Sequence, residues 1–147
     1  MRKKKIYYAA GWFGEKQEEE HTRIYNAMRE LPHIDIFNPK LDGGIVNPKG
    51  DLAQDILDNN LKHMRHCDLA VVITDYKDMG TLWESGYLSC LRKPIIYYCE
   101  TLGDKPFNLM LAKTGYVARN ERELQVLLSN LQVFKHKKKY NYEGIIE

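Results

Sequence analysis

Short apolar runs separated by amphipathic stretches recur along the whole chain. The runs are Lys5–Ala10 (KIYYAA), Ile34–Phe37 (IDIF), Leu69–Ile73 (LAVVI), Pro94–Tyr98 (PIIYY) and Gly115–Ala118 (GYVA). Their length and their β-branched and aromatic content predict strands. KIYYAA is apolar on both faces, which predicts a central position, and GYVA reads as a last, edge strand. Between the strands the apolar positions fall at helical spacing. Glu15–Leu31 carries His21, Ile24, Tyr25, Met28 and Leu31 on one face and Glu18–Glu20 on the other, and Pro32 ends it. Leu52–Arg65 follows Asp51, a plausible N-cap, and a third helix runs on from Gly80 with Leu82, Tyr87, Leu88 and Leu91 on its face. Pro106–Leu111 reads as a short helical segment and Asn120–Phe134 as the final helix. Asn38–Gly50, broken by Pro39, Gly43-Gly44 and Pro48, reads as a loop able to act as a lip, and Glu100–Lys105 as a turn-rich loop. Strands alternating with helices predict an α/β fold, a doubly wound parallel sheet flanked by helices, in one domain spanning residues 1–147. The tail Lys135–Glu147 holds two tyrosines and two isoleucines and is expected to pack back onto the body.

Composition narrows the function classes. A net charge of +2 gives no argument for a nucleic-acid polymer as partner, and the basic residues concentrate at Arg2–Lys5 and Lys135–Lys139. No stretch is long and apolar enough for a membrane span, and the N-terminus has no apolar segment of the kind a secretory leader needs. Cys67, Cys90 and Cys99 are odd in number and lack CxxC spacing, so reduced thiols in a cytoplasmic protein are expected. No His, Cys or carboxylate cluster has metal-ligand spacing, and neither a metal nor a cofactor is expected.

Candidate chemistry concentrates in Asp68–Tyr87, DLAVVITDYKDMGTLWESGY. Here a buried strand leads into polar residues, a glycine and a helix, which sets Glu84 near a helix start beyond a strand's C-terminal end. Ligands bind at that edge in open α/β sheets. The positive end of the helix dipole would keep a first-turn carboxylate ionised. Glu84 therefore reads either as a nucleophile beside a cleft or as an ordinary first-turn glutamate. Gly11-Trp12-Phe13-Gly14 breaks the first strand, and its aromatic pair either stacks on a flat ligand or caps the core. The glycine spacing is not that of a dinucleotide fingerprint. His21 has no evident partner and reads as structural. Asn108, the one polar residue of PFNLML, either pins backbone or faces a ligand or partner subunit.

Four segments together resemble the nucleoside 2-deoxyribosyltransferase family: IYYAAGWF (Ile6–Phe13), DMGTLWESGY (Asp78–Tyr87), KPFNLM (Lys105–Met110) and YEG (Tyr142–Gly144). They occur in the family's order and span nearly the whole chain. The resemblance implies a flavodoxin-like sheet of five parallel strands and a homo-oligomer, a dimer-based tetramer or hexamer. It implies transfer of 2-deoxyribose between nucleobases through a covalent glycosyl-enzyme, with a deoxynucleoside and a free nucleobase as substrates. Glu84 is similar to the nucleophile, Tyr7 to the tyrosine that orients it, and Asp78 to an aspartate that contacts substrate. Gly80, in the same block, is assigned to the substrate pocket. Trp12 and Phe13 look like the aromatic wall of the base site. Asn108 and Met110 match residues that complete a neighbouring subunit's pocket, and the C-terminal end, with Glu147, is expected nearby.

One position departs from the family's pattern. Where members carry an aspartate linked to protonation of the base, this chain has Asn60, and an amide does not deliver a proton as a carboxylic acid does. Either Asn60 only hydrogen-bonds the base, or Asp58 or another acid takes that task. Lys40–Gly50 is also short relative to some members, so base preference stays open. An oxocarbenium-like state trapped by a carboxylate suits these residue types. One alternative is an N-glycosidase, in which water replaces the acceptor base. No Gly-, Ser- and Arg-rich phosphate loop follows the first strand, which favours transfer. The other alternative is a non-catalytic nucleotide-binding module on the same scaffold.

Overall fold

The computed structural model describes residues 2–44, 47, 49–135 and 140–147. Five strands form one all-parallel sheet: β1 (Lys4–Ala9), β2 (Ile34–Phe37), β3 (Leu69–Ile73), β4 (Ile95–Tyr98) and β5 (Tyr116–Ala118). Their order is β2-β1-β3-β4-β5, so β1 is interior and β5 an edge, as the hydrophobic pattern predicts. The chain leaves β1 toward β2 in one direction and returns to β3 in the other. The order in which strands are added therefore reverses between β1 and β3, the kind of switch point beyond whose strand ends open α/β sheets bind ligands.

The helices are α1 (Glu15–Arg29), α2 (Pro39–Asp42), α3 (Ala53–His66), α4 (Met79–Cys90), α5 (Leu109–Ala112) and α6 (Glu121–Leu128), followed by a 3-10 turn at Leu131–Phe134. Alternation along the strands divides the core in two. Ile6, Tyr8, Val71, Ile73, Ile96 and Tyr98 pack with Ile24 and Met28 of α1 and Leu124 and Leu128 of α6. Tyr7, Ala9, Ala70, Val72, Ile95 and Tyr97 pack on the opposite face with Met64 of α3, Leu88 of α4 and Ala112 of α5. The two consecutive tyrosines of β1, both fully buried, thus serve different faces.

Four expectations need correction. The stretch expected as a loop after β2 contains α2, because Asn38 caps it (its side chain accepts from Lys40 N at 3.1 Å) and Pro39 suits a first helical turn. Ile45, Val46 and Pro48 of that loop lie outside the described residues. Asp51 is not the cap of α3. Leu52 holds that place with a left-handed φ of 63°, while Asp51 exchanges hydrogen bonds with Asn47. The final helix stops at Leu128, since the Asn130 side chain accepts from Gln132 N at 3.0 Å and starts the 3-10 turn instead. Met79, not a later residue, opens α4. The tail does pack back: Asn141 pairs with both backbone groups of Val117, and Ile146 bridges Phe107. His136–Lys139 of the C-terminal basic run lie outside the described residues, and at the other end Arg2 pairs with Asp68 at 3.0 Å.

Candidate active site

The C-terminal rim of β1 and β3 holds a carboxyl–phenol pair. Tyr7 reaches it from β1, and Glu84 from the second turn of α4, whose N-terminus Asp78 fixes by accepting from Thr81 N at 2.9 Å and Thr81 Oγ1 at 2.8 Å. The Tyr7 hydroxyl donates to Glu84 Oε2. Burial pushes the Glu84 carboxyl up to about 7; the Tyr7 hydrogen bond opposes this, and the nearby Asp78 charge adds to it. The Tyr7 phenol is pushed far above its ordinary value, first by burial and then by the Glu84 charge. The expectation that a helix terminus holds Glu84 ionised is therefore overturned. No acidic residue occupies the first turn of α4, and desolvation outweighs what remains of the dipole at the sixth residue.

Several other predicted site residues lie on the β1–α1 connection, α4 and α3. Trp12 and Phe13 stack on each other with centroids 5.4 Å apart, Phe13 being 68% exposed and Trp12 set edge-on to the buried His21. His21 has its backbone carbonyl bonded by Tyr8 OH at 2.9 Å, and burial lowers its ring to about 4, which fits the structural reading. Gly80 is exposed in the first turn of α4, and a Cβ there would touch Asp78 Oδ2 at 3.5 Å. Asn60 lies on α3 with Oδ1 buried and without a partner among the described residues; a Cβ on Gly43 would come within 3.0 Å of it.

Asn108 and Met110 stand apart from the pair. Asn108 caps α5 through Oδ1, accepting from Met110 N at 3.0 Å and Leu111 N at 3.4 Å. With Thr74, Lys77, Leu82, Lys105 and Glu147 it lines a cavity of about 640 Å³ whose lining includes neither Glu84 nor Tyr7. Glu147 is held there by strand-like bonds, its carbonyl accepting from Leu109 N at 2.7 Å and its N–H donating to Phe107 O at 3.0 Å. Met110 is 69% exposed.

Three neighbours escaped the sequence reading. Phe37 stacks on Tyr7 at 5.6 Å, and His63 lies flat on Phe37 at 3.7 Å. Gln17 of α1 accepts from Phe13 N at 3.0 Å. Phe37 was findable in principle, because pairing of β1 with β2 sets Tyr7 opposite Phe37, but that register is not written in either strand alone. Among the described residues no group of three His, Cys, Asp or Glu side chains is arranged to hold a metal ion, and no helix is long and apolar enough to cross a membrane.

Known proteins resemble this chain in sequence and fold to different degrees. Residues 6–137 match the family model described as nucleoside 2-deoxyribosyltransferase. The chain is 32% identical over 126 residues to the nucleoside deoxyribosyltransferase of Lactobacillus leichmannii, across 75% of this chain and 80% of that protein. The fold is similar to that of a 2-deoxyribosyltransferase from Bacillus psychrosaccharolyticus, with a TM-score of 0.74 and 23% identity over 92% of this chain and 98% of the other. It is also similar to a CMP N-glycosidase from Clostridium botulinum, with a TM-score of 0.57 and 19% identity over 85% of this chain and 97% of the other. The family match across most of the chain, with the sequence relative beside it, assigns this protein to the nucleoside 2-deoxyribosyltransferase family of pentosyltransferases.

Proposed function

We propose that this protein moves 2-deoxyribose from one nucleobase to another through a glycosyl ester on Glu84. The observation that carries the reading is the Tyr7–Glu84 pair at the strand rim. In the first step a Glu84 carboxylate oxygen bonds to the anomeric carbon while the C–N bond breaks, and its electron pair leaves with the base, which takes up a proton. In the second step a nitrogen of the incoming base attacks the same carbon, releases the carboxylate and gives up its own proton. Two inversions retain configuration. Tyr7 holds Oε2, leaving Oε1 without a hydrogen bond among the described residues and ready to attack. Asp78 uses Oδ2 to cap α4, so Oδ1 is the atom for substrate.

Trp12 and Phe13 form the wall for the base. Asn60 meets the base with an unpartnered carbonyl oxygen and acts by hydrogen bonding, not by proton delivery. Asn108 and Met110 serve a second copy's pocket, which accounts for their standing apart from Glu84 in one chain. Met79 (87% exposed), Trp83 (56%) and Leu109 (48%) give that second copy an apolar surface. The three cysteines are free thiols, in keeping with a cytoplasmic enzyme of nucleoside salvage.

The test is chromatography of a deoxynucleoside incubated with and without a different free base. A new deoxynucleoside formed only with acceptor is expected, and Glu84→Gln should abolish it without loss of fold. Normal turnover by that variant would end the nucleophile assignment. Equal release of base without acceptor would make the protein an N-glycosidase.

A further inference from the structure

In the aromatic lip Trp12 leans edge-on against His21 of α1, whereas the Phe13 ring is 68% exposed. Gly14, with a φ of 89°, separates Trp12-Phe13 from α1, and no side-chain cap bonds the N-terminus of that helix. The backbone of the lip is tied to α1 by Gln17, the third residue of that helix. A residue at that position commonly reaches back to the N-cap N–H. Gln17 reaches one residue further, and its Oε1 accepts from Phe13 N at 3.0 Å. Its side chain is buried although polar. The amide nitrogen lies over Gly11: a Cβ there would collide with Gln17 Nε2 and would come within 3.0 Å of the Asp78 carboxylate. Gly11 is thus the thin point at which α1, the lip and the cap of α4 meet.

We infer that Gln17 is a positioning residue for base recognition: by holding the Phe13 N–H across the bare backbone of Gly11, it sets the Trp12–Phe13 stack at the height a flat nucleobase requires. The inference rests on the reading of Trp12 and Phe13 as the base wall. Gln17 touches no reacting atom, and its effect falls on affinity.

Tryptophan-quenching titrations with adenine and with thymine test this on the full chain. Gln17→Met keeps the length and removes the acceptor, whereas Gln17→Glu keeps an acceptor oxygen. The Met variant should weaken the dissociation constant of whichever base the parent binds by about fivefold, the worth of one ordinary hydrogen bond. The Glu variant keeps the acceptor while its charge faces the Asp78 carboxylate, so it should weaken binding less than the Met variant does, and the melting temperature of the Met variant should remain close to the parental value. An unchanged dissociation constant in the Met variant overturns the inference. So does equal weakening in both variants accompanied by lower melting temperatures, which marks a purely structural role. A parent that binds neither base overturns it too, and the transfer assay then decides separately whether the transferase reading also falls.

Discussion

As the proposed nucleophile, Glu84 has to be shielded from water for its hydrogen bond to orient it, and charged to attack. Burial takes its titration to about 7, so near neutral pH the carboxylate and the acid coexist. Only the carboxylate is a nucleophile, so the pH profile of kcat/KM should have an acidic limb near pH 7 and a plateau above it. The Tyr7 hydroxyl stabilises the charged form. Tyr7→Phe should therefore move that limb to higher pH while reducing the plateau, as profiles of both proteins over pH 5 to about 9 would show. A limb unmoved by Tyr7→Phe would assign it to another group. At this scale the sequence was informative where one residue type sits at a structural junction. A glutamate after strand, glycine and helix start is such a case, and so is an isolated amide that turns out to cap a helix. It was silent on Phe37, His63 and Gln17, whose roles depend on which strand lies beside β1 and on how the lip turns over Gly11.

Helix α1 is fastened to the rim by charge. Arg23 bonds Glu100 at 2.7 Å and also pairs with Glu121, while Tyr98 OH donates to Glu100 at 2.8 Å. Beside them Glu20 is buried, and Asp75 accepts from Thr101 N and Oγ1 at 2.8 Å each. Glu20 Oε1 and Asp75 Oδ2 are buried acceptors with no donor among the described residues, and a proton held by Glu20 satisfies both. Burial, then Asp75, then Glu100 push Glu20 from 4.5 up to about 9, whereas the Arg23 and Tyr98 hydrogen bonds bring Glu100 below its usual range against the opposing effect of burial. The folded protein thus keeps a proton on Glu20 that the unfolded chain releases above about 4.5, so this group's stabilisation is complete in mild acid and fades as pH rises to about 9. The corresponding window of Glu84 closes near 7. Between pH 7 and about 9 the parent should lose roughly 5 °C in Tm, and Glu20→Gln should be nearly flat, as calorimetry of the two proteins would show. Parallel decline in both would refute the shared proton. Elements as such were well marked in the sequence, because strands buried on both faces read as unbroken apolar runs. Their ends were less legible: α3 begins after a left-handed leucine, and α6 yields to an asparagine that captures the backbone.

In the molecule as a whole, Asn108 lines a cavity whose lining includes neither Glu84 nor Tyr7. If a closed, symmetric assembly completes each site, Glu84 and Asn108 of one chain serve different sites. Glu84→Gln and Asn108→Ala should each be inactive or nearly so alone. Mixed after unfolding and refolding together, they should regain a fraction of parental transfer, since some sites then join an intact Glu84 to an intact Asn108. Absence of recovery from a mixture that has associated, checked by sedimentation, would return both residues to a single chain's site. The sheet topology was legible from the alternation of strands and helices, but the placement of Asn108 relative to Glu84 was not, because it depends on where α5 docks after β4. The same sheet makes β1 two strands in one. Tyr7 points to the half of the molecule that holds Glu84, and Tyr8 to the half that holds α1, where its hydroxyl bonds the carbonyl of His21. Evolution and mutagenesis meet unrelated demands at neighbouring positions here. Tyr7→Phe would pass a selection for folding and fail one for turnover, whereas Tyr8→Phe would loosen an anchor of α1 and leave the chemistry of the other face in place.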